Sequence, residues 1–143
     1  MTLDLPDLAA TEALAARLAG KARPGDAVLL SGPLGAGKSA FARAFLRAWA
    51  GDPGLEVPSP SFTLVQSYER ADGGVAAHFD LYRLGGPAEV PELGWDEARL
   101  GVVLVEWPDR LGHLKPEGAL EITLAQGATE DARVALLQGW ETR

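Results

Sequence analysis

Eight residues, Gly32-Pro33-Leu34-Gly35-Ala36-Gly37-Lys38-Ser39, stand between the apolar run AVLLS (27–31) and the helix-forming run AFARAFLRAW (40–49). No other stretch restricts the fold as tightly. Glycines at these intervals let the backbone wrap on itself, so that successive N–H groups point at one spot. A helix opening directly afterwards aims the positive end of its dipole at the same spot. The spacing is that of G-x-x-x-x-G-K-[ST], the phosphate-binding loop. There the lysine adds charge at the β- and γ-phosphates and the hydroxyl is offered to Mg²⁺. The pattern predicts a buried strand, a loop and a helix in succession. The helix is expected from Gly37 to about Trp49, with Phe41, Ala44, Phe45 and Ala48 on one face, and GDPG (51–54) ends it.

The rest of the chain reads as alternating strands and helices around this unit. LDL (3–5) predicts a short strand, and LAATEALAARLA (8–19) a helix with Gly20 just past its end. VPSPSF (57–62) is extended, because its two prolines exclude helix. TLVQSYE (63–69), ADGG (71–74) and VAAHFD (75–80) read as strand, turn and strand, a hairpin. The Gly- and Pro-punctuated stretch 85–99 is expected to hold one or two short helices, and GVVLVE (101–106) is a second buried strand. ALEITL (119–124) and ARVALL (132–137) read as paired strands. With no repeat or linker, residues 1–143 are expected to form a single P-loop domain. The fold class is α/β, a P-loop NTPase-like three-layer fold around a central mixed sheet.

Composition narrows the function classes. A net charge of −7 with no cluster of Lys and Arg disfavours direct gripping of RNA or DNA, which draws affinity from phosphate neutralisation. The absence of cysteine excludes disulfides, thiolate zinc sites and a cysteine nucleophile. No apolar run is long enough for a membrane-spanning helix, and the N-terminus lacks the basic start and apolar stretch of a secretion signal. A cytoplasmic location with no membrane partner is the expectation.

A phosphate-binding loop needs an acidic residue near its magnesium, at the end of a second apolar strand. Glu106 and Asp80 each end such a run. Glu106 ends the longer one and is assigned to the metal. Asp80 is left with three roles: orienting the attacking water, touching magnesium through water, or sensing the γ-phosphate. Ser59, Ser61 and Thr63 lie where nucleotide-responsive loops occur. Trp107 is open to packing near the nucleotide or capping the core, and Arg83 to reaching phosphate or standing free on the surface. His78 and His113 are isolated in sequence and read as structural. No N-K-x-D stretch reads guanine, so adenine is the expected base.

Several stretches together resemble one family, the TsaE family of bacterial P-loop proteins (formerly YjeE). They are GPLGAGKS (32–39), VPSPSFTLVQSYE (57–69), HFDLYRL (78–84), ELGWDE (92–97) and VLVEWPDRL (103–111), and the resemblance runs from about residue 3 to 137. It implies an ATPase component of tRNA threonylcarbamoyladenosine biosynthesis. Gly35, Ala36, Gly37, Lys38, Ser39 and Ala40 would wrap the phosphates of ATP, and Ser39 and Glu106 would ligate Mg²⁺. Asp80 would be functionally important, within switch-like SPSF and HFDLYR elements. Thr11 and Trp107 would lie against the nucleotide, and Arg133 near the adenine. The implied partner is a TsaB–TsaD-type complex, through which alone the protein meets tRNA. The chain departs from the family's usual pattern at Ser39 and Ser61, where threonine is usual, and at Pro33, where an acidic residue is usual. The serines keep the hydroxyl.

The mechanism expected is in-line attack of water on the γ-phosphorus, with Lys38, Asp80 and Glu106 as the working side chains. No arginine finger is placed by sequence, so intrinsic turnover is expected to be slow and dependent on partners. A small-molecule kinase built on the same loop is the main alternative, and a nucleotide-gated binding module without turnover the third.

Overall fold

The computed structural model describes residues 1–143 throughout. In chain order the elements are β1 (Thr2–Leu5), α1 (Leu8–Ala19), β2 (Ala27–Ser31), α2 (Lys38–Ala50), β3 (Val65–Glu69), β4 (Val75–Asp80), a 3₁₀ segment (Pro87–Leu93), α3 (Trp95–Ala98), β5 (Val102–Glu106), a second 3₁₀ segment (Pro108–Leu114), β6 (Leu120–Gln126) and β7 (Arg133–Gln138). All seven strands join one sheet in the order β1-β7-β6-β2-β5-β4-β3. β6, β2, β5 and β4 run parallel, while β7 and β3 pair antiparallel to β6 and β4. The sheet is therefore mixed, as expected.

Helical structure covers both faces. On β2 and β5 successive residues point to opposite sides. Val28, Leu30, Val102 and Leu104 join the core beneath α1 and α2, with Leu14, Leu18, Phe41, Phe45 and Leu46. Ala27, Leu29, Val103 and Val105 join the other core, with Leu81, Val90, Trp95 and Leu111 from the short helical segments. Continuous apolar runs are what a parallel strand covered on both faces requires. Phe41 and Phe45 are fully buried, each contributing about 1.5–3 kcal/mol by that burial. α1 starts at Asp7, whose carboxylate accepts the Ala10 N–H at 2.8 Å. α2 ends at Gly51, left-handed at φ 67°.

Two expectations about local structure are corrected. The buried face of α2 carries Phe41, Ala42, Phe45, Leu46 and Trp49; Ala44 is half-buried and Ala48 exposed. The helix lies under α1 as well as on the sheet, which rotates its buried stripe toward Ala42 and Leu46. β3 begins at Val65 rather than Thr63. Leu64 takes φ 69°, its N–H is turned back to the Pro60 carbonyl (2.7 Å), and its carbonyl accepts the Asp80 N–H (2.9 Å). A segment the sequence left unassigned, 108–114, is a kinked 3₁₀ turn with Pro108 in its first turn.

Candidate functional site

The loop joining β2 to α2 turns on Gly32 (φ 143°), Gly35 (φ 81°) and Gly37 (φ 101°), conformations that other residues rarely adopt. At Gly32 a Cβ would also run into the carbonyl of Leu124 on β6. The tight start of the loop is thus set by the neighbouring strand. The N–H groups of Gly35, Gly37, Lys38, Ser39 and Ala40 donate to no acceptor in the chain. Gly35, Gly37, Lys38, Ser39 and Ala40 line a cleft of about 300 Å³ with Leu34, Ser59, Ser61, Asp80, Tyr82, Glu106 and Trp107. Converging amide donors at a helix N-terminus beside an ammonium form a receptor for a polyanion.

Lys38 is almost fully buried. Its Nζ donates to the carbonyls of Gly32 and Pro33 and lies 4.0 Å from the centroid of the Trp107 ring. Burial holds its pKa below the ordinary lysine value, with the charges of Glu106 and Asp80 pulling the other way. Trp107, with φ 59°, also packs against Tyr82 at 4.9 Å between ring centroids. It both lines the cleft and packs against the second core.

Asp80 and Glu106 are register partners on β4 and β5, and both are buried. Asp80 Oδ1 accepts the Tyr82 N–H (3.1 Å) and Oδ2 accepts the Ser61 hydroxyl (3.3 Å), which in turn meets Ser59 Oγ at 2.8 Å. The proline-rich loop is thereby tied to a strand end. Thr63 is exposed and lies outside the cleft. Glu106 Oε2 accepts from His78 Nε2 at 2.7 Å. His78 is therefore not isolated. It sits two residues before Asp80 on the same face of β4, a spacing that alternation along a strand makes legible. Tyr82 is a second cleft residue that sequence reasoning passed over.

Thr11, Ala36 and Arg133 are not among the residues lining the cleft. Thr11 is buried in α1 and Ala36 beneath the loop. Arg133 braces the loop from β7, donating to the carbonyls of Ala36 (3.0 Å) and Gly35 (3.2 Å). Arg83 stacks on Phe62, with its guanidinium carbon 4.5 Å from the ring centroid, and no arginine lines the cleft. His113 is exposed, away from the site.

The donor set fits a hard divalent cation. Ser39, Asp80 and Glu106 supply oxygens, and no group of three or more His, Cys, Asp or Glu converges into a cage. Magnesium is characteristically held this way, by one or two carboxylates with phosphate and water completing its shell.

The family model described as "Threonylcarbamoyl adenosine biosynthesis protein TsaE" matches residues 5–135. The tRNA threonylcarbamoyladenosine biosynthesis protein TsaE of Rickettsia conorii is 41% identical over 115 residues, covering 80% of this chain. The match spans 65% of that relative's length, just under two thirds. The TsaE protein of Bacillus subtilis is 35% identical over 129 residues, covering 87% of this chain and 77% of that protein. The crystal structure of Bacillus subtilis YdiB superposes with a TM-score of 0.79 at 29% identity, covering 100% of this chain and 87% of that one. On the loop geometry, the sheet order and these matches together, the chain belongs to the TsaE family.

Proposed function

We propose that residues 1–143 act as one P-loop ATPase unit of the tRNA threonylcarbamoyladenosine machinery, binding ATP with Mg²⁺ and acting on a TsaB–TsaD-type complex. The observation that carries the ATP part is the row of unpaired amides from Gly35 to Ala40, Ala36 apart, beside a buried Lys38. Gly37 and Ala40 are half-buried and Lys38 buried, where an N–H without an acceptor is unfavourable, and a phosphate chain would satisfy it. The biosynthetic role rests on family membership.

In this reading the amides and Lys38 hold the β- and γ-phosphates, while Thr11, Trp107 and Arg133 belong to the nucleotide's surroundings. Trp107 does so by contact, and Arg133 by fixing the loop it is bonded to. Ser39 and Glu106 hold magnesium, which when bound draws charge from the phosphate oxygens. Asp80, bonded to Ser61, senses closure of the proline-rich loop and orients water. The absence of an arginine from the cleft supports slow turnover in isolation, with the missing charge or loop ordering supplied by a partner. It also speaks against a small-molecule kinase, which closes arginines over its phosphates. The net charge of −7 favours an indirect relation to tRNA through the complex. No helix is long and apolar enough to cross a membrane. We place the protein in the cytoplasm, where tRNA is modified.

The test is to mix the purified chain with TsaB and TsaD and measure nucleotide-dependent association and phosphate release. Slow release by the chain alone that rises when both partners are added is the expected result. Phosphate release that requires an added metabolite and no partner would move the assignment to the kinase. Association gated by ATP with no release in the full mixture would leave a binding module.

A further inference from the structure

Resting on the ATP reading above, we propose that His78 is the positioning residue for Glu106. It holds one carboxylate oxygen so that the other is presented to the cation in the cleft. Both side chains are almost wholly buried, at 2% and 4% exposure, and their contact is short at 2.7 Å. An ionised carboxylate can only accept, so the hydrogen of this bond is on His78 Nε2. His78 Nδ1 is buried without a partner, so the imidazole has one polar engagement in the protein, and that is Glu106. Reciprocally, no other side chain or backbone group donates to the Glu106 carboxylate. Its Oε1 is absent from the buried unpaired atoms, while Glu106 itself lines the cleft. The two oxygens thus have different situations, Oε2 anchored and Oε1 open. Asp80 differs, since both its oxygens are engaged by Ser61 and Tyr82. A glutamate has three side-chain torsions, and one N–H bond on a rigid strand removes most of that freedom. Groups that orient a metal's ligand typically change metal affinity ~10–100-fold when removed.

The experiment compares wild type, His78→Leu and His78→Gln. Leucine removes the donor and keeps apolar bulk; glutamine can return an N–H near the Nε2 position. Mn²⁺ binding is followed by electron paramagnetic resonance with a non-hydrolysable ATP analogue, and analogue affinity without divalent cation by calorimetry. His78→Leu is expected to weaken Mn²⁺ ~10–100-fold. Cation-free analogue affinity should stay within about twofold, and His78→Gln should recover most of the Mn²⁺ affinity. A loss equal with and without cation, or no loss at all, overturns the role. So does a glutamine variant as defective as leucine. If His78→Leu does not fold, nitrogen-15 NMR of the wild-type ring decides instead. An Nε2–H tautomer whose signal shifts in Glu106→Gln supports the pairing, and an Nδ1–H tautomer overturns it. Wild type that binds the analogue no better with Mn²⁺ than without would sink the ATP–Mg²⁺ reading itself, a failure distinct from an unresponsive His78→Leu.

Discussion

The Lys38 ammonium rests on the face of Trp107, 4.0 Å from the ring centroid, while donating to the carbonyls of Gly32 and Pro33. The lysine is thus held at the mouth of the loop whose amides are unpaired. Any anion that draws Lys38 toward those amides changes the surroundings of the indole.

Nucleotide binding is therefore expected to alter Trp107 emission. Three other tryptophans contribute background, so the measurement is the difference between wild type and Trp107→Phe, titrated with an ATP analogue. The nucleotide-dependent signal should vanish in the variant. Affinity should fall only modestly, because phenylalanine keeps part of a cation–π contact worth ~0.5–2 kcal/mol. A variant whose signal equals that of wild type would place the reporter elsewhere.

Lys38→Met should abolish phosphate release in the partner-containing assay, a loss of ~100-fold or more for a group that stabilises transferring charge. Burial lowers the Lys38 pKa, with Glu106 and Asp80 opposing, so the ammonium gives up its proton at a lower pH than the ordinary value of 10.5. The sign follows: the Lys38 contribution to analogue affinity is complete at neutral pH and declines on raising pH, before a free lysine would titrate. Isothermal titration between neutral pH and the alkaline limit of stability measures this. The methionine variant should lack that decline.

Glu106→Gln should weaken the dependence of analogue binding on Mg²⁺ ~10-fold or more, since the carboxylate contributes charge as well as an oxygen. Asp80→Asn should act differently, because its oxygens already bind Ser61 and the Tyr82 N–H. Its expected effect is loss of turnover with a smaller change in Mg²⁺ dependence than Glu106→Gln shows, both its oxygens being held within the protein. Magnesium titrations of both variants decide; an unaltered Glu106→Gln paired with a defective Asp80→Asn would exchange the two roles.

Far from the cleft, Asp26 and Arg143 form a two-bonded pair, one bond at 2.9 Å, with both side chains largely buried. Burial pushes the Asp26 carboxyl up. The Arg143 bonds, the Arg23 N–H and the nearby positive charges outweigh this and leave it below 3.8. A carboxylate with a lowered folded-state pKa contributes stability that is complete above its unfolded value and lost as pH falls through the folded one. Asp26→Asn should therefore cost about 1–3 kcal/mol in urea unfolding at pH 7. The gap between variant and wild type should close as the pH drops below 3.8. A gap that persists unchanged at low pH would remove the ionic explanation.

Much of this was legible in residues alone. The loop from Gly32 to Ser39, the strands either side of ADGG and the paired strands near the end all depend on local rules. Those rules are glycine conformations, alternation and turn chemistry, which act over a few residues. The carboxylates ending VAAHFD and GVVLVE are legible because a phosphate-binding loop calls for an acid at the end of a second apolar strand, and the register of β4 with β5 places them side by side. The buried stripe on α2 differs from its local pattern, since its direction depends on α1 packing beside it, which no local pattern encodes.

Sequence by itself determined that this chain wraps a glycine-rich loop between a buried strand and a helix, because that signal lies within eight consecutive residues. Tertiary structure alone decided which side chains meet there. His78 reaches Glu106 across 28 residues of chain, and Arg133 reaches the Ala36 carbonyl across 97. Both contacts exist only because β4 lies beside β5, and because β7 brings its arginine back to the loop. Strand order is set by the burial of two apolar faces at once, a property of the whole sheet that no single segment carries.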